Sequence, residues 1–269
     1  MSIVENHLKK RLEAGELCAA FTVQHWRQVN IAQIAERLGF QWMFIDVEHN
    51  SMDVDTIAQI CTAAVTTGVT AICRVPSHLS FHVTRLLDNG AMGVIVPHIS
   101  TVEEARQLVS HTRFPPMGHR SVTGPGPQLG FRAYPRAEQA QILNRNTFVV
   151  AMVESPEGIE NADGIAAVEG IDALFIGAGD LSMEYGVPGQ ADHPKIDAAF
   201  DAVCKACKKH GKHAGMGGVN DPATIERYVG KGIRFFQAAS EMTLFEMGAK
   251  QRMDFINSIK LPKPRKKTK

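Results

Sequence analysis

The chain has 269 residues, 29 lysines and arginines against 28 aspartates and glutamates, and is 44% hydrophobic and 21% charged. This is the balance of a folded globular protein rather than a disordered one, and a formal charge of +1 gives no broad electrostatic footprint for nucleic acid. No apolar run approaches the roughly 20 residues of a membrane span, and MSIVENHLKKRLEAGEL lacks the apolar core of a signal peptide, so a cytoplasmic protein with no membrane partner is expected.

In chain order the strand candidates are CAAFTV (18–23), WMFID (42–46), AICRV (71–75), GVIVPHI (93–99), FVVAMVE (148–154), ALFIGAG (173–179), HAGMGG (213–218) and FFQAAS (235–240). They are short and almost continuously apolar, the pattern of strands covered on both faces. Amphipathic segments such as VDTIAQICTAAV, TVEEARQLVSHT and PKIDAAFDAVCKACKKH separate them. Asp53, Thr101 and Asp221-Pro222 read as helix starts, and Gly68, Gly90 and Gly211 as helix ends. Eight strands, each followed by a helix, predict a (β/α)8 TIM barrel over residues 1–259, with a basic, Pro-broken, solvated tail at 260–269. A doubly wound sheet is the runner-up, but it lacks a phosphate-loop signature.

Residues 114–136 form a long Pro-, Gly- and Arg-rich insertion, which reads equally as a functional loop or a surface excursion. The odd count of five cysteines points to reduced thiols. Cys204, Cys207, His210 and His213 fall three apart. On a helix each such step drifts about 60°, so the spacing predicts a half-buried face and turn rather than a zinc site.

Active sites in this fold collect at the C-terminal ends of the strands. Glu154 and Asp180 end consecutive strands. Together, with no thiolate nearby, they suit a hard cation such as Mg²⁺ or Mn²⁺; singly, each suits a helix cap. Asp46 and His49 share a strand-end turn, where the histidine is a general base oriented by its neighbour or simply an exposed turn residue. Arg74 ends an apolar strand and binds either an anion or a rim carboxylate. Lysine is absent between Lys10 and Lys195, which removes Schiff-base chemistry. Any carbon–carbon lyase built on this chain therefore needs a metal to hold an enolate.

The stretches WMFIDVEHN, AICRVPS, LLDNGAMGVIVPHISTVEEARQLV, TRFPPMGHRSV and VESPEGIENADGIAAVEGIDALFIGAGDLSMEYG resemble the HpcH/HpaI family of class II pyruvate aldolases, whose type member is 4-hydroxy-2-oxoheptanedioate aldolase. The resemblance runs in register from about residue 5 to residue 258. It implies a phosphoenolpyruvate/pyruvate-type barrel, a divalent metal (Mg²⁺, Mn²⁺ or Co²⁺), and reversible retro-aldol cleavage of a 4-hydroxy-2-oxo acid to pyruvate and an aldehyde. Carried over by position, Glu154 and Asp180 resemble the metal ligands and Arg74 the residue on the pyruvate oxygens. His49 resembles the general base supported by Asp46 and Asp88, and the Gly179 and Asp180 N–H groups the carboxylate site.

Asp88 closes a helix just before Gly90, on the rim opposite the active site, so a catalytic Asp88 implies a homo-oligomer with shared sites; the resemblance suggests a hexamer. A local cap or salt bridge is the competing account. Two residues depart from the family pattern. Met152 stands where many relatives carry Gln. His98 follows Pro97 where an apolar residue is usual, so it either binds substrate or packs as a core histidine. The small residues of GMGGV (215–219) are expected to widen the aldehyde pocket. Within the lyases the alternatives are an oxaloacetate decarboxylase resembling macrophomate synthase, or an acyl-CoA lyase; outside them, a non-catalytic barrel that binds a 2-oxo acid.

Overall fold

The computed structural model describes residues 3–77 and 80–261; most of the expected basic tail, 262–269, lies outside the described residues. The elements run α1 (His7–Glu13), β1 (Cys18–Val23), α2 (Ile31–Arg37), β2 (Trp42–Asp46), α3 (Val54–Ala64), β3 (Thr70–Arg74), α4 (Ser80–Asp88), β4 (Gly93–Val96) and α5 (Val102–Thr112). There follow α6 (Arg136–Asn146), β5 (Phe148–Val153), α7 (Pro156–Glu160), α8 (Ala162–Ala166), β6 (Ala173–Gly177) and α9 (Ala178–Glu184). The chain ends with α10 (Pro194–His210), β7 (His213–Gly217), α11 (Pro222–Lys231), β8 (Ile233–Ser240) and α12 (Glu241–Asn257). The strands pair in parallel and in sequence order, and β8 returns to β1 to close the barrel.

Local chemistry accounts for the boundaries. Asp53 and Asp221 cap α3 and α11 by accepting from Thr56 N–H and Thr224 N–H, and Thr101 with Glu104 forms a capping box on α5. Gly211 ends α10 in the left-handed conformation. Gly68 does not end a helix, because α3 stops at Ala64. β4 is shorter than expected: Pro97 has no N–H to pair, and His98 turns the backbone left-handed with φ +56°.

Strands β1 to β7 are buried on both faces almost throughout, whereas β8 is only half-buried beyond Phe235. Outward residues pack under the helices. Inward ones, including Trp42, Phe44, Phe148, Phe175 and Phe235, fill the barrel with rings whose centroids lie 5.5–6.5 Å apart. Leu8 and Leu12 of α1 join this cluster and close the floor. The β7 glycines do not widen a pocket. A Cβ on Gly215 would lie 2.5 Å from Phe235 Cζ, and one on Gly217 would overlap Gln237 Oε1; rings and a carboxamide already fill that room.

The 114–136 insertion lies between α5 and β5, on the floor side, and is not structureless. It includes a 3-10 turn, Pro127–Leu129, and packs Phe114 and Leu129 against Ile142 and Leu143. Gln128 Nε2 donates to the carbonyls of Leu87 and Ala91. The Cys204–His213 set makes no metal centre. Both cysteines are buried, with thiols pushed up to about 11 and about 12 by that burial, and His210 pairs with Asp163. Among the described residues no helix is long and apolar enough to cross a membrane. Only Glu241 of α12 is buried, while Phe245, Met247, Met253, Phe255 and Ile256 on the same helix are exposed.

Candidate active site

The polar residues of the barrel mouth begin where the aromatic filling ends. Asp46, at the end of β2, is fully buried, and its carboxylate grips Arg74 at the end of β3, with Nη2 to Oδ2 at 2.6 Å and Nε to Oδ1 at 3.0 Å. The β2–β3 register sets these two residues side by side, and the guanidinium rests over the Phe44 ring, 5.2 Å from its centroid. Asp46 also accepts from Gln24 Nε2 and from the N–H groups of Glu48 and His49. Burial pushes its carboxyl up, but the bonds and charge of Arg74, with those other donors, outweigh burial and hold it below the ordinary value.

The next turn carries Glu48 and His49. Of the two readings of the Asp46–His49 turn, the structure has the exposed one: Asp46 accepts from the His49 backbone N–H, while the imidazole is exposed, with Nε2 3.7 Å from Glu48 Oε2. Glu48 is the hub that sequence reading missed. Its carboxylate lies 3.3 Å from Arg74 Nη1 and 3.6 Å from His98 Nε2. The signal was present, since Glu48 is two residues past the strand-end aspartate and so on the same side.

Glu154 follows β5 and is 3% exposed. Its Oε1 accepts from His98 N–H at 2.8 Å and lies 3.2 Å from His98 Nδ1. The left-handed turn at His98 brings backbone and ring onto one oxygen, a conformation that non-glycine residues adopt only when surroundings enforce it. His98 is thus neither core-packed nor free: its side chain is two-thirds exposed at the rim (67%). A Cβ on Gly177 would overlap Glu154 Oε2, so the β6 glycine makes the space that this carboxylate occupies. Burial first, then the charges of Asp180 and Glu48, push the Glu154 carboxyl up to about 7 against the opposing His98 contacts.

Asp180 lies in the first turn of α9 and is exposed. No hydrogen bond or ion pair holds its carboxylate among the described residues. Beside it, the position a Cβ would take on Gly179 has no atom within 4 Å. Four carboxylates, Asp46, Glu48, Glu154 and Asp180, therefore stand at the mouth. Two are committed to Arg74; Glu154 and Asp180 are left as an oxygen-only donor pair, with open space for water or a chelating ligand. That set fits a hard divalent cation.

Asp88 is not part of this cluster. It ends α4 on the floor side and pairs with buried Arg120 at 2.7 Å. Met152 points into the aromatic filling, with no hydrogen-bonding group near Glu154. Lys9 and Lys212 are tied to Asp172 and to the Ile171 carbonyl on the floor side, and Lys195 donates to the Tyr185 carbonyl.

The model of the HpcH/HpaI aldolase/citrate lyase family matches residues 26–247, a span that holds every mouth residue named above except Gln24. The chain belongs to that family. It is 35% identical to the 4-hydroxy-4-methyl-2-oxoglutarate aldolase tasA of Hapsidospora irregularis, over 97% of this chain and 98% of that one. It is 32% identical to the 5-keto-4-deoxy-D-glucarate aldolase of Klebsiella pneumoniae, over 80% and 83%. Among solved structures, the HpcH/HpaI aldolase of Desulfitobacterium hafniense superposes with a TM-score of 0.87 at 28% identity, covering 94% of this chain and 97% of that one. Family membership and aldolase relatives along most of its length make this chain an enzyme of the carbon–carbon lyase class, a class II aldolase.

Proposed function

We propose that the enzyme cleaves a 4-hydroxy-2-oxo acid to pyruvate and a carbonyl fragment, with Mg²⁺, Mn²⁺ or Co²⁺ held by Glu154 and Asp180. The observation that carries this reading is the Glu154 carboxylate. Its Oε2 occupies the space that Gly177 leaves by lacking a Cβ, and burial first, then the charges of Asp180 and Glu48, push it toward neutrality. A divalent ion there supplies the Lewis acid for charge left on the keto oxygen when C3–C4 breaks.

The protein groups divide the remaining work. Arg74, oriented by Asp46, offers planar donors to the oxo-acid oxygens. The N–H groups of Gly179 and Asp180 bind the carboxylate in the open space beside them. His49, exposed beside Glu48, takes the proton from the C4 hydroxyl. His98, fixed at the rim, lines the side from which the carbonyl fragment leaves. The name of the Hapsidospora relative makes 4-hydroxy-4-methyl-2-oxoglutarate the first substrate to try.

The bare apolar residues of α12 support a homo-oligomer, a hexamer by family resemblance, in which Asp88 serves a neighbouring copy's mouth. Five free, buried cysteines support a reducing, cytoplasmic setting. The deciding experiment is pyruvate release, read with lactate dehydrogenase, from a panel of 4-hydroxy-2-oxo acids and oxaloacetate. EDTA-stripped enzyme should be inactive and recover with Mg²⁺, Mn²⁺ or Co²⁺. Full activity in EDTA, or in Glu154→Ala, refutes the metal reading, and turnover of oxaloacetate alone makes the enzyme a decarboxylase.

A further inference from the structure

A third buried carboxylate sits at the same rim, outside the acidic pocket. Glu241, the first residue of α12, is 1% exposed. Its Oε1 accepts from three consecutive backbone N–H groups in the loop after β1: Gln24 at 2.7 Å, His25, and Trp26 at 3.1 Å. Successive N–H groups converging on one oxygen form an anion nest, here filled from within the chain by β8 closing against β1. The other oxygen, Oε2, is buried with no partner among the described residues.

The nest connects to the mouth. Gln24, whose N–H Glu241 holds, donates its side-chain Nε2 to Asp46 Oδ2 at 3.2 Å, and the same oxygen takes Arg74 Nη2. We infer that Glu241 is a positioning residue for Arg74, acting through Gln24 and Asp46. Without it, three successive N–H groups of a half-buried loop lose their shared acceptor and turn to water instead, so the loop is no longer pinned to α12. The Gln24 side chain then leaves Asp46, and the Asp46 carboxylate is free to turn with its guanidinium. The requirement is for an acceptor at one point, so a Gln carbonyl oxygen serves in place of the carboxylate. The inference rests on the reading of Arg74 as the oxo-acid residue.

The test compares Glu241→Ala, Glu241→Gln, Gln24→Ala and Arg74→Gln in two assays. One is kcat/KM for pyruvate release from 4-hydroxy-4-methyl-2-oxoglutarate. The other is acrylamide quenching of tryptophan fluorescence; of the two tryptophans Trp42 is fully buried, so quenching reads Trp26 in the loop. Glu241→Ala should lower kcat/KM at least tenfold and raise quenching, and Glu241→Gln should return both to within threefold of wild type. Gln24→Ala, which cuts the middle link alone, should lower kcat/KM while leaving quenching unchanged. Wild-type activity in Gln24→Ala or in folded Glu241→Ala overturns the inference, as does Glu241→Gln as impaired as Glu241→Ala. Arg74→Gln separates the two levels. If it retains activity, the reading of Arg74 itself fails; if it alone is impaired, only the positioning role fails. Should Glu241→Ala not fold, Gln24→Ala and Glu241→Gln carry the test.

Discussion

Asp46 and Arg74 form a two-point ion pair in which the carboxylate is wholly buried and the guanidinium keeps an edge toward the mouth. Removing one partner of a buried pair costs about 3–5 kcal/mol, so Asp46→Asn should destabilise the fold by roughly 3 kcal/mol at neutral pH in chemical denaturation. Because folding depresses the Asp46 pKa, its contribution is present above the ordinary 3.8 and lost as the pH falls through the folded value. The gap between wild type and Asp46→Asn should therefore close in acid. Arg74→Lys keeps charge but loses the fork, and kcat/KM should fall about 10–100-fold, the equivalent of one charge-assisted bond.

The raised Glu154 pKa makes the opposite prediction for metal-free protein. A carboxyl that goes from 4.5 to about 7 on folding is protonated in both states below 4.5 and carries its full penalty above about 7. In EDTA, Glu154→Gln should match wild type near pH 4.5 and exceed it in stability by up to about 3 kcal/mol at pH 8. Saturating Mn²⁺ should shrink the difference at pH 8 by stabilising wild type alone. A pH-independent difference between the two proteins in EDTA would contradict the assignment.

Gly177→Ala isolates the glycine's steric role. The backbone there, φ −82°, suits alanine, so the added methyl acts only by overlapping Glu154 Oε2. Mn²⁺ affinity by calorimetry should drop about 10–100-fold, the scale on which displaced ligand supports act, with far-UV circular dichroism unchanged.

The helix α12 and the Asp88–Arg120 pair give a prediction about assembly. If α12 joins copies as proposed, wild type should run as an oligomer and Phe255→Glu as a smaller species, seen by light scattering after gel filtration. Mixing Asp88→Asn chains with His49→Ala chains should restore part of the activity that each lacks alone. If Asp88 acts only on Arg120 within its own chain, mixing restores nothing.

The strand cores were legible because a parallel barrel buries both faces of most of its strands, which leaves runs such as FVVAMV without alternation. Their ends were less so: β4 stops at Val96 through Pro97 and a left-handed His98 that no periodicity reveals. That Glu154, Asp180, Asp46 and Arg74 stand at the mouth was legible because strand ends open there. Glu48 was overlooked although its place beside the strand-end aspartate was readable, and Glu241 was hidden, since its partners after β1 are brought near only by barrel closure. The β7 glycines misled for the same reason: what fills the space above them, Phe235 and Gln237, comes from the following strand.

The floor sealed by Leu8 and Leu12, with tilted and edge-on rings above it, leaves the barrel a vessel with one opening. On the proposed reading, a fragment lodged against Arg74 departs after one seated above it, so release is ordered, and alterations to the rim change what enters without disturbing the stopper below.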